Sequence, residues 1–311
     1  MYIGIDLGGT NIAAGLVDEA GVLINTLSTP TESERKSEKI ADDMIELVKK
    51  LAEYNGYTTS DINGIGIGCP GTVNDETGEI LYVPNLNMDG FNLAGYIKDT
   101  LHCNVHLAND ADCAALGEYT VTGNGAKTFI LITLGTGVGG GVIINGKLYT
   151  GFNGMGAEIG HITLVHEGVE CGCGKKGCWE AYASVTALRR QTMDAIKKNP
   201  HSIMSELYKK ENKITGRTAF DAAKQGDEAA RAVVEQYAQY IAGGIISVEN
   251  IFQPECIVIG GGISKEGDYL LNPIMEYVNK YRFNKHLKQT EIKVAKLFND
   301  AGIIGAAMLC K

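Results

Sequence analysis

The sequence predicts a duplicated α/β protein of two domains, and three observations carry that expectation. A chain of 311 residues exceeds what one hydrophobic core ordinarily supports. The stretch IGIDLGGTNIAAGLVDEAGVLI at 3–24 reads as a strand, a Gly-Gly-Thr turn, a second strand and a hairpin turning near Asp18 to Gly21. ILITLGTGVGGGVIINGKLY at 130–149 repeats the pattern and leaves through an Asn145-Gly146 hairpin, the sign of an internal duplication. The forty glycines gather at Gly8-Gly9, Gly135 to Gly141, Gly151 to Gly160 and Gly260 to Gly262, marking loops where backbone approaches a ligand. Two facing domains would leave a cleft between them.

Between the repeats, residues 36 to 54 carry Ile40, Met44, Ile45, Leu47, Val48 and Leu51 at helical spacing, the mark of a surface helix. INGIGIGCPG at 62–71 reads as a buried strand ending at a Pro-Gly turn, and Val83 to Asn87 as a loop near Pro84-Asn85. VHLANDADCAALGE at 105–118 reads as a strand, a cap at Asn109 or Asp110, and a helix. Its apolar side would hold Ala111, Ala114, Ala115, Leu116 and Tyr119. From 182 to about 285 the pattern is mostly helical, best over Glu228 to Asn250 with Val233, Val234, Tyr237, Ile241, Ile245 and Val248 on one face. The β-branched run Cys256 to Ile259 stops at Gly260-Gly261-Gly262, and GIIGAAMLCK at the end reads as a small-residue helix packed closely on something.

Apolar content of 44% and charged content of 21% describe an ordinary globular protein. A net charge of -9 argues against binding the phosphate backbone of nucleic acid. The chain enters the strand-like run Tyr2 to Asp6 with no basic stretch before it and holds no run of about eighteen apolar residues. No leader, no membrane span and a cytoplasmic location are therefore expected. Of eight cysteines, Cys69, Cys103, Cys113, Cys256 and Cys310 are scattered and read as small core residues.

The other three cluster. GAEIGHITLVHEGVECGCGKKGCWE at 156–180 sets Cys171, Cys173 and Cys178 in a C-x-C-x4-C run behind His161. These four ligands can converge on one tetrahedral Zn²⁺, and a closed site of that kind is structural, leaving Glu158 and Glu180 for other work. The plainer reading is a loop of reduced thiols without metal. Gly8-Gly9-Thr10 and Gly135-Thr136-Gly137 are paired turns able to hold phosphate oxygens by N–H groups and hydroxyls. Asp6 stands where it can orient a hydrated Mg²⁺, and Gly261 and Gly262 can let an adenine lie flat on the backbone. Neither turn has the spacing of a Walker loop or a dinucleotide fingerprint, and either alone reads equally as a tight hairpin.

DLGGTN at 6–11, LANDADCAALGE at 107–118, LGTGVGGG at 134–141, GMGAEIGH at 154–161, CGCGKKGCWE at 171–180 and IVIGGGIS at 257–264 together resemble the ROK family, above all its glucokinases. The resemblance implies an actin-like ATPase fold of two ribonuclease H-like domains: 1–109 plus 296–311, and a larger 110–295 carrying the zinc loop. It implies an ATP- and Mg²⁺-dependent kinase acting on the 6-hydroxyl of glucose, with N-acetylmannosamine, N-acetylglucosamine, fructose or allose as alternative hexoses. Asp110 would be the base; Gly71, Asn109, Glu158, His161 and Glu180 would bind the sugar with it. Asp6, Gly8, Gly9, Thr10, Asn11, Gly135, Thr136, Gly137, Gly261 and Gly262 would serve the nucleotide. His161, Cys171, Cys173 and Cys178 would hold zinc. A homodimer or homotetramer is implied as well. Family members that repress transcription carry a helix-turn-helix ahead of the DLGGT motif, which here begins at residue 6. This chain also has Asn87-Met88-Asp89 where many ROK glucokinases place an aromatic, a difference in the expected pocket wall.

Overall fold

A computed structural model describes residues 1–83, 86–283 and 285–311; the loop expected at Pro84-Asn85 lies outside the described residues. The chain opens with β1 (Tyr2–Leu7), β2 (Asn11–Val17), β3 (Leu23–Pro30), α1 (Ser37–Tyr54), β4 (Gly64–Cys69), β5 (Thr72–Asn74), β6 (Glu79–Tyr82) and β7 (Phe91–Asn92). Next come α2 (Leu93–Leu101), β8 (Val105–Asn109), α3 (Asp110–Thr122), β9 (Thr128–Leu134), β10 (Val138–Ile144) and β11 (Lys147–Leu148). A helical stretch follows: α4 (Glu180–Ala183), α5 (Val185–Lys198), α6 (Ile203–Glu211), α7 (Thr218–Lys224) and α8 (Glu228–Phe252). The chain closes with β12 (Cys256–Gly260), α9 (Asp268–Tyr281), β13 (Glu291–Val294) and α10 (Asp300–Met308).

The duplication is visible in strand order. One five-stranded sheet runs β3-β2-β1-β4-β8 and the other β11-β10-β9-β12-β13. Each therefore begins with the three strands of one repeat, and later strands join beside the first of them. Asn145 and Gly146 both take positive φ, 52° and 77°, as an Asn-Gly hairpin turn requires.

The chain divides into two compact units, Met1–Leu131 with Gly141–Ala157 and Lys296–Lys311, and Ile132–Gly140 with Glu158–Ala295. In unit one, β1 pairs antiparallel with β2 and parallel with β4, which pairs parallel with β8. Helix α1 buries Ile40, Met44, Val48 and Leu51 in a core shared with Ile3, Ile5, Ile65 and Ile67. Helix α10 packs backbone against backbone: a Cβ on Gly66 would stand 1.7 Å from Ala306 O, and one on Gly305 1.6 Å from Cys113 O. Small residues are therefore the condition for this contact, in keeping with the small-residue pattern of the C-terminus.

Helix α3 buries a different face from the expected one. Asp112, Cys113, Ala115, Gly117, Glu118 and Thr122 are inside. The carboxylate of Glu118, wholly buried, accepts the amides of Lys296 at 2.9 Å and Leu297 at 2.7 Å, tying α3 to the entry of α10. Both amides bond to Oε1, so the buried carboxylate is satisfied on one oxygen, and residue polarity is a poor guide to the face of this helix. The same tie groups α3 with unit one, which therefore runs past residue 109.

In unit two, α8 buries Val233, Val234, Tyr237, Ile241, Ile245 and Val248, the face expected, and is capped by Asp227 accepting the Ala230 amide at 2.9 Å. Trp179, fully buried, donates its Nε1–H to Tyr240 O at 2.9 Å and thereby anchors α4 on α8. Among the described residues no helix is long and apolar enough to cross a membrane.

Candidate active site

Strand register delivers the first group of residues. Asp6 on β1 lies opposite Gly68 on β4, which lies opposite Ala108 on β8, so Asp6, Asn109 and Asp110 stand at the carboxyl ends of parallel strands. That edge is where α/β sheets bind ligands. Asn109 is the helix cap: its Oδ1 accepts the Ala111 amide at 2.8 Å and its Nδ2 donates to Gly71 O at 2.9 Å. With the cap assigned to Asn109, Asp110 becomes the first helical residue, its Oδ1 also accepting the Ala111 amide at 2.9 Å. Gly71 itself, at φ 97° and with a Cβ position 2.2 Å from Tyr82 O, admits no side chain. Met88 is fully buried in the unit-one core, and Asp89 accepts the Val83 amide at 2.8 Å. Met88 thus lies in the core, not on a pocket wall.

Both carboxyls hold their protons more tightly than an ordinary aspartate. Burial, with the charge of Asp110 added, pushes the Asp6 carboxyl up to about 6. Asp110 is also raised by burial, against the pull of the Ala111 amide, its own amide and the Asn109 side chain. Its side chain remains accessible to solvent although protein groups surround most of it.

Beside them the Gly8-Gly9-Thr10 turn closes with Gly8 N–H donating to Asn11 O at 3.0 Å. Thr31 clasps it, its hydroxyl donating to Gly8 O at 2.6 Å and its amide to Thr10 O at 2.9 Å. Sequence reading misses Thr31, which lies on no local pattern with the turn.

Unit two holds the second group. Glu158 and His161 bracket a single 3₁₀ turn, the His161 amide donating to Glu158 O at 3.0 Å. The ligand atoms of His161, Cys171, Cys173 and Cys178 all lie within 4.8 Å of one another. Cys171 Sγ is 3.6 Å from His161 Nδ1, and Cys173 Sγ is 3.6 Å from Cys178 Sγ. Tetrahedral Zn²⁺ with its usual N and S bond lengths needs ligand separations of about 3.3–3.8 Å, so the donor chemistry fits such an ion and the two shortest separations match it. The loop is shaped by short backbone bonds, Cys171 N–H to Lys175 O at 2.8 Å and Gly177 N–H to Val169 O at 2.8 Å. Lys175 Nζ donates to His161 O at 3.0 Å.

Glu180, first residue of α4, touches two features at once. Its Oε1 is 3.3 Å from Cys171 Sγ and its Oε2 accepts the Val138 amide at 3.0 Å. Val138 follows the Gly135-Thr136-Gly137 turn, which is closed by Gly135 N–H to Gly137 O at 3.0 Å. A side chain at Gly137 would collide with Glu180, its Cβ 2.3 Å from Oε2. Gly261, just past β12, lies so close to Leu134 O at the end of β9 that a Cβ there would stand 2.2 Å from it, while a Cβ at Gly262 would meet nothing within 4 Å, leaving an open face. The structure thus gathers Asp6, Gly8, Gly9, Thr10, Asn11, Gly71, Asn109 and Asp110 in unit one. It gathers Gly135, Thr136, Gly137, Glu158, His161, the three cysteines, Glu180, Gly261 and Gly262 in unit two.

Known proteins share this sequence and architecture. A glucokinase of Halalkalibacterium halodurans is 38% identical over 312 residues, covering 100% of this chain and 94% of that protein. One of Thermotoga maritima is 35% identical over 311 residues, covering 99% and 96%. The crystal structure of a ROK family glucokinase from Streptomyces griseus in complex with glucose and AMPPNP superposes with a TM-score of 0.81 at 36% identity, covering 99% of this chain and 98% of that one. The ROK family pattern matches residues 2–311, and the chain belongs to the ROK family.

Proposed function

We propose that this protein is an ATP-dependent hexose kinase that phosphorylates the 6-hydroxyl of glucose, a cytoplasmic enzyme working as a homodimer or homotetramer. The observation that carries the reading is the Asp6 and Asp110 pair at the strand ends beside the Gly8-Gly9-Thr10 turn. Full-length likeness to glucokinases supports the choice of sugar.

Asp110 takes the proton of the 6-hydroxyl as the bond from that oxygen to the γ-phosphorus forms. The bond from phosphorus to the β–γ bridging oxygen breaks, and its electron pair leaves with ADP. A carboxylate raised by burial is a better base than an ordinary aspartate, and the hydroxyl acidifies only as its oxygen bonds to phosphorus. Asn109, fixed by its bonds to Ala111 and Gly71, sets the position of Asp110 and offers its remaining N–H and lone pair to a ring hydroxyl. Glu158, His161 and Glu180 bind the other hydroxyls. The amides of Gly9, Thr10, Thr136 and Gly137, those not used to close the turns, and the hydroxyls of Thr10 and Thr136 receive phosphate oxygens, and the adenine lies on Gly261-Gly262. When bound, Mg²⁺ spreads the charge of the phosphates, and Asp6 is the carboxylate assigned to its hydration shell.

His161, Cys171, Cys173 and Cys178 would hold Zn²⁺, which as a closed four-ligand site supplies rigidity only. With Nδ1 turned toward Cys171, the imidazole has Nε2 left for a sugar hydroxyl, so the metal would fix the ring that reads the substrate. Exposed Phe283 and Leu287 are apolar surface of the kind an assembly would cover. ADP release measured across a panel of hexoses tests the reading: glucose should give the highest kcat/KM, and an ATPase rate indifferent to every sugar would contradict it.

A further inference from the structure

The Gly135-Thr136-Gly137 turn is held from beneath by bonds that phosphate binding alone does not require. Val185 N–H donates to Gly135 O at 2.8 Å and Thr186 Oγ1 donates to Thr136 O at 2.7 Å. A carbonyl pointing at a phosphate repels it. By drawing two successive carbonyls toward itself, the start of α5 leaves the amides of Thr136 and Gly137 to face an anion, the Gly135 amide being used to close the turn.

The third bond reaches further. Val138 N–H, just past the turn, donates to Glu180 Oε2, and the same carboxylate approaches Cys171 through Oε1. Gly137 has no room to move toward Glu180, since even a methyl there would overlap Oε2. Turn and carboxylate therefore cannot shift independently. Unit one supplies a contrast: Thr31 clasps its turn in the same manner, but no carboxylate is hydrogen-bonded to that turn among the described residues.

We propose that Thr186 is a positioning residue for the nucleotide, and that through Glu180 the phosphate turn and the sugar-reading carboxylate set each other, so that nucleotide and hexose bind with positive coupling. The proposal rests on the kinase reading for the identity of the two ligands. Thr186 is exposed, so its replacement tests the clasp without opening the core.

Glucose binding to the full chain is measured by calorimetry alone and then with saturating AMPPNP and Mg²⁺; the wild type should bind glucose about 5- to 10-fold tighter in the second case. Thr186→Val, and Thr186→Ala as a second variant, should weaken AMPPNP binding about 5- to 10-fold and bring the coupling factor toward one. The KM for ATP should rise while kcat at saturation changes less, and Thr186→Ser should restore both affinity and coupling. Unchanged AMPPNP affinity in the valine and alanine variants overturns the positioning role. Weakened AMPPNP binding with the coupling intact overturns the link through Glu180. A wild type that binds AMPPNP but no hexose sinks the kinase reading instead, and the AMPPNP affinity of the variants then still decides the role of Thr186.

Discussion

In unit one, Gly8 N–H closes on Asn11 O at 3.0 Å and the turn is clasped by Thr31, which is wholly buried. In unit two, Gly135 N–H closes on Gly137 O, also at 3.0 Å, but the clasp is the exposed Thr186, the Val185 amide and the carboxylate of Glu180. The local chemistry is the same and the support is not. A turn anchored by a core threonine is insulated from events at the surface. One held by a carboxylate that also approaches Cys171 is tied to the conformation of the His/Cys loop. On the proposed reading, duplication thus produced two phosphate turns, one fixed beside the Asp6 and Asp110 pair and one tied to sugar recognition.

The sharpest way to break that division of labour is to remove the acid. Asp110→Asn should lower kcat by about 10²- to 10⁴-fold, the ordinary worth of a positioned base, while calorimetry still shows glucose bound. Loss of glucose binding instead would make Asp110 a recognition residue and move recognition into unit one.

Stripping the metal with a chelator attacks the other side. Elemental analysis should find about one zinc per chain; after its removal glucose affinity should fall about 10- to 100-fold as His161 loses its brace, and added zinc should restore it. A metal-free chain with unaltered glucose affinity would uncouple the loop from recognition.

Thr31→Val sharpens the contrast within unit one. It should cost about 1–2 kcal/mol in chemical denaturation, because the half-buried Gly8 O loses its donor, and should weaken ATP binding without altering how ATP and glucose influence each other. A change in that mutual influence would show that the first turn is not insulated.

Asp6 gives the smallest and least obvious effect. Its carboxyl keeps a proton up to about pH 6 in the folded chain, against 3.8 ordinarily, so folding takes up a proton between those values. Stability contributed by the neutral form is complete below the lower value and is lost as pH rises through the upper one. At neutral pH Asp6→Asn should therefore be more stable than the wild type, by on the order of 1–3 kcal/mol, and should flatten the pH dependence of unfolding over that window, while ATP turnover falls. Equal or lower stability at neutral pH would mean that the charged form is solvated better than its burial implies.

Features written in adjacent residues are legible in the sequence itself. The Asn145-Gly146 hairpin, a cap at Asn109 or Asp110, a helix over Glu228 to Asn250 and the clustering of His161 with three cysteines each follow from spacing within a short stretch of chain. Features made by partners far apart in the chain are not. Glu118 reaches Lys296 and Leu297, Thr31 reaches Gly8, and Thr186 reaches Thr136, and nothing near any of these residues announces its partner. The buried face of α3 escapes a periodicity argument for the same reason: a carboxylate is assigned to solvent until its hydrogen-bond donors are known. Of Asn87-Met88-Asp89, where the sequence suggests a difference in the pocket wall, Met88 packs into the unit-one core, which only its long-range partners reveal.

The central claim is transfer of the γ-phosphate of ATP to the 6-oxygen of glucose under the control of Asp110. Following the reaction by ³¹P NMR with ATP, Mg²⁺ and glucose tests it most directly. The account predicts glucose 6-phosphate and ADP appearing in equal amounts with the wild type and neither with Asp110→Asn over the same time. Release of inorganic phosphate without a sugar phosphate, or a phosphate on another hydroxyl, would contradict it.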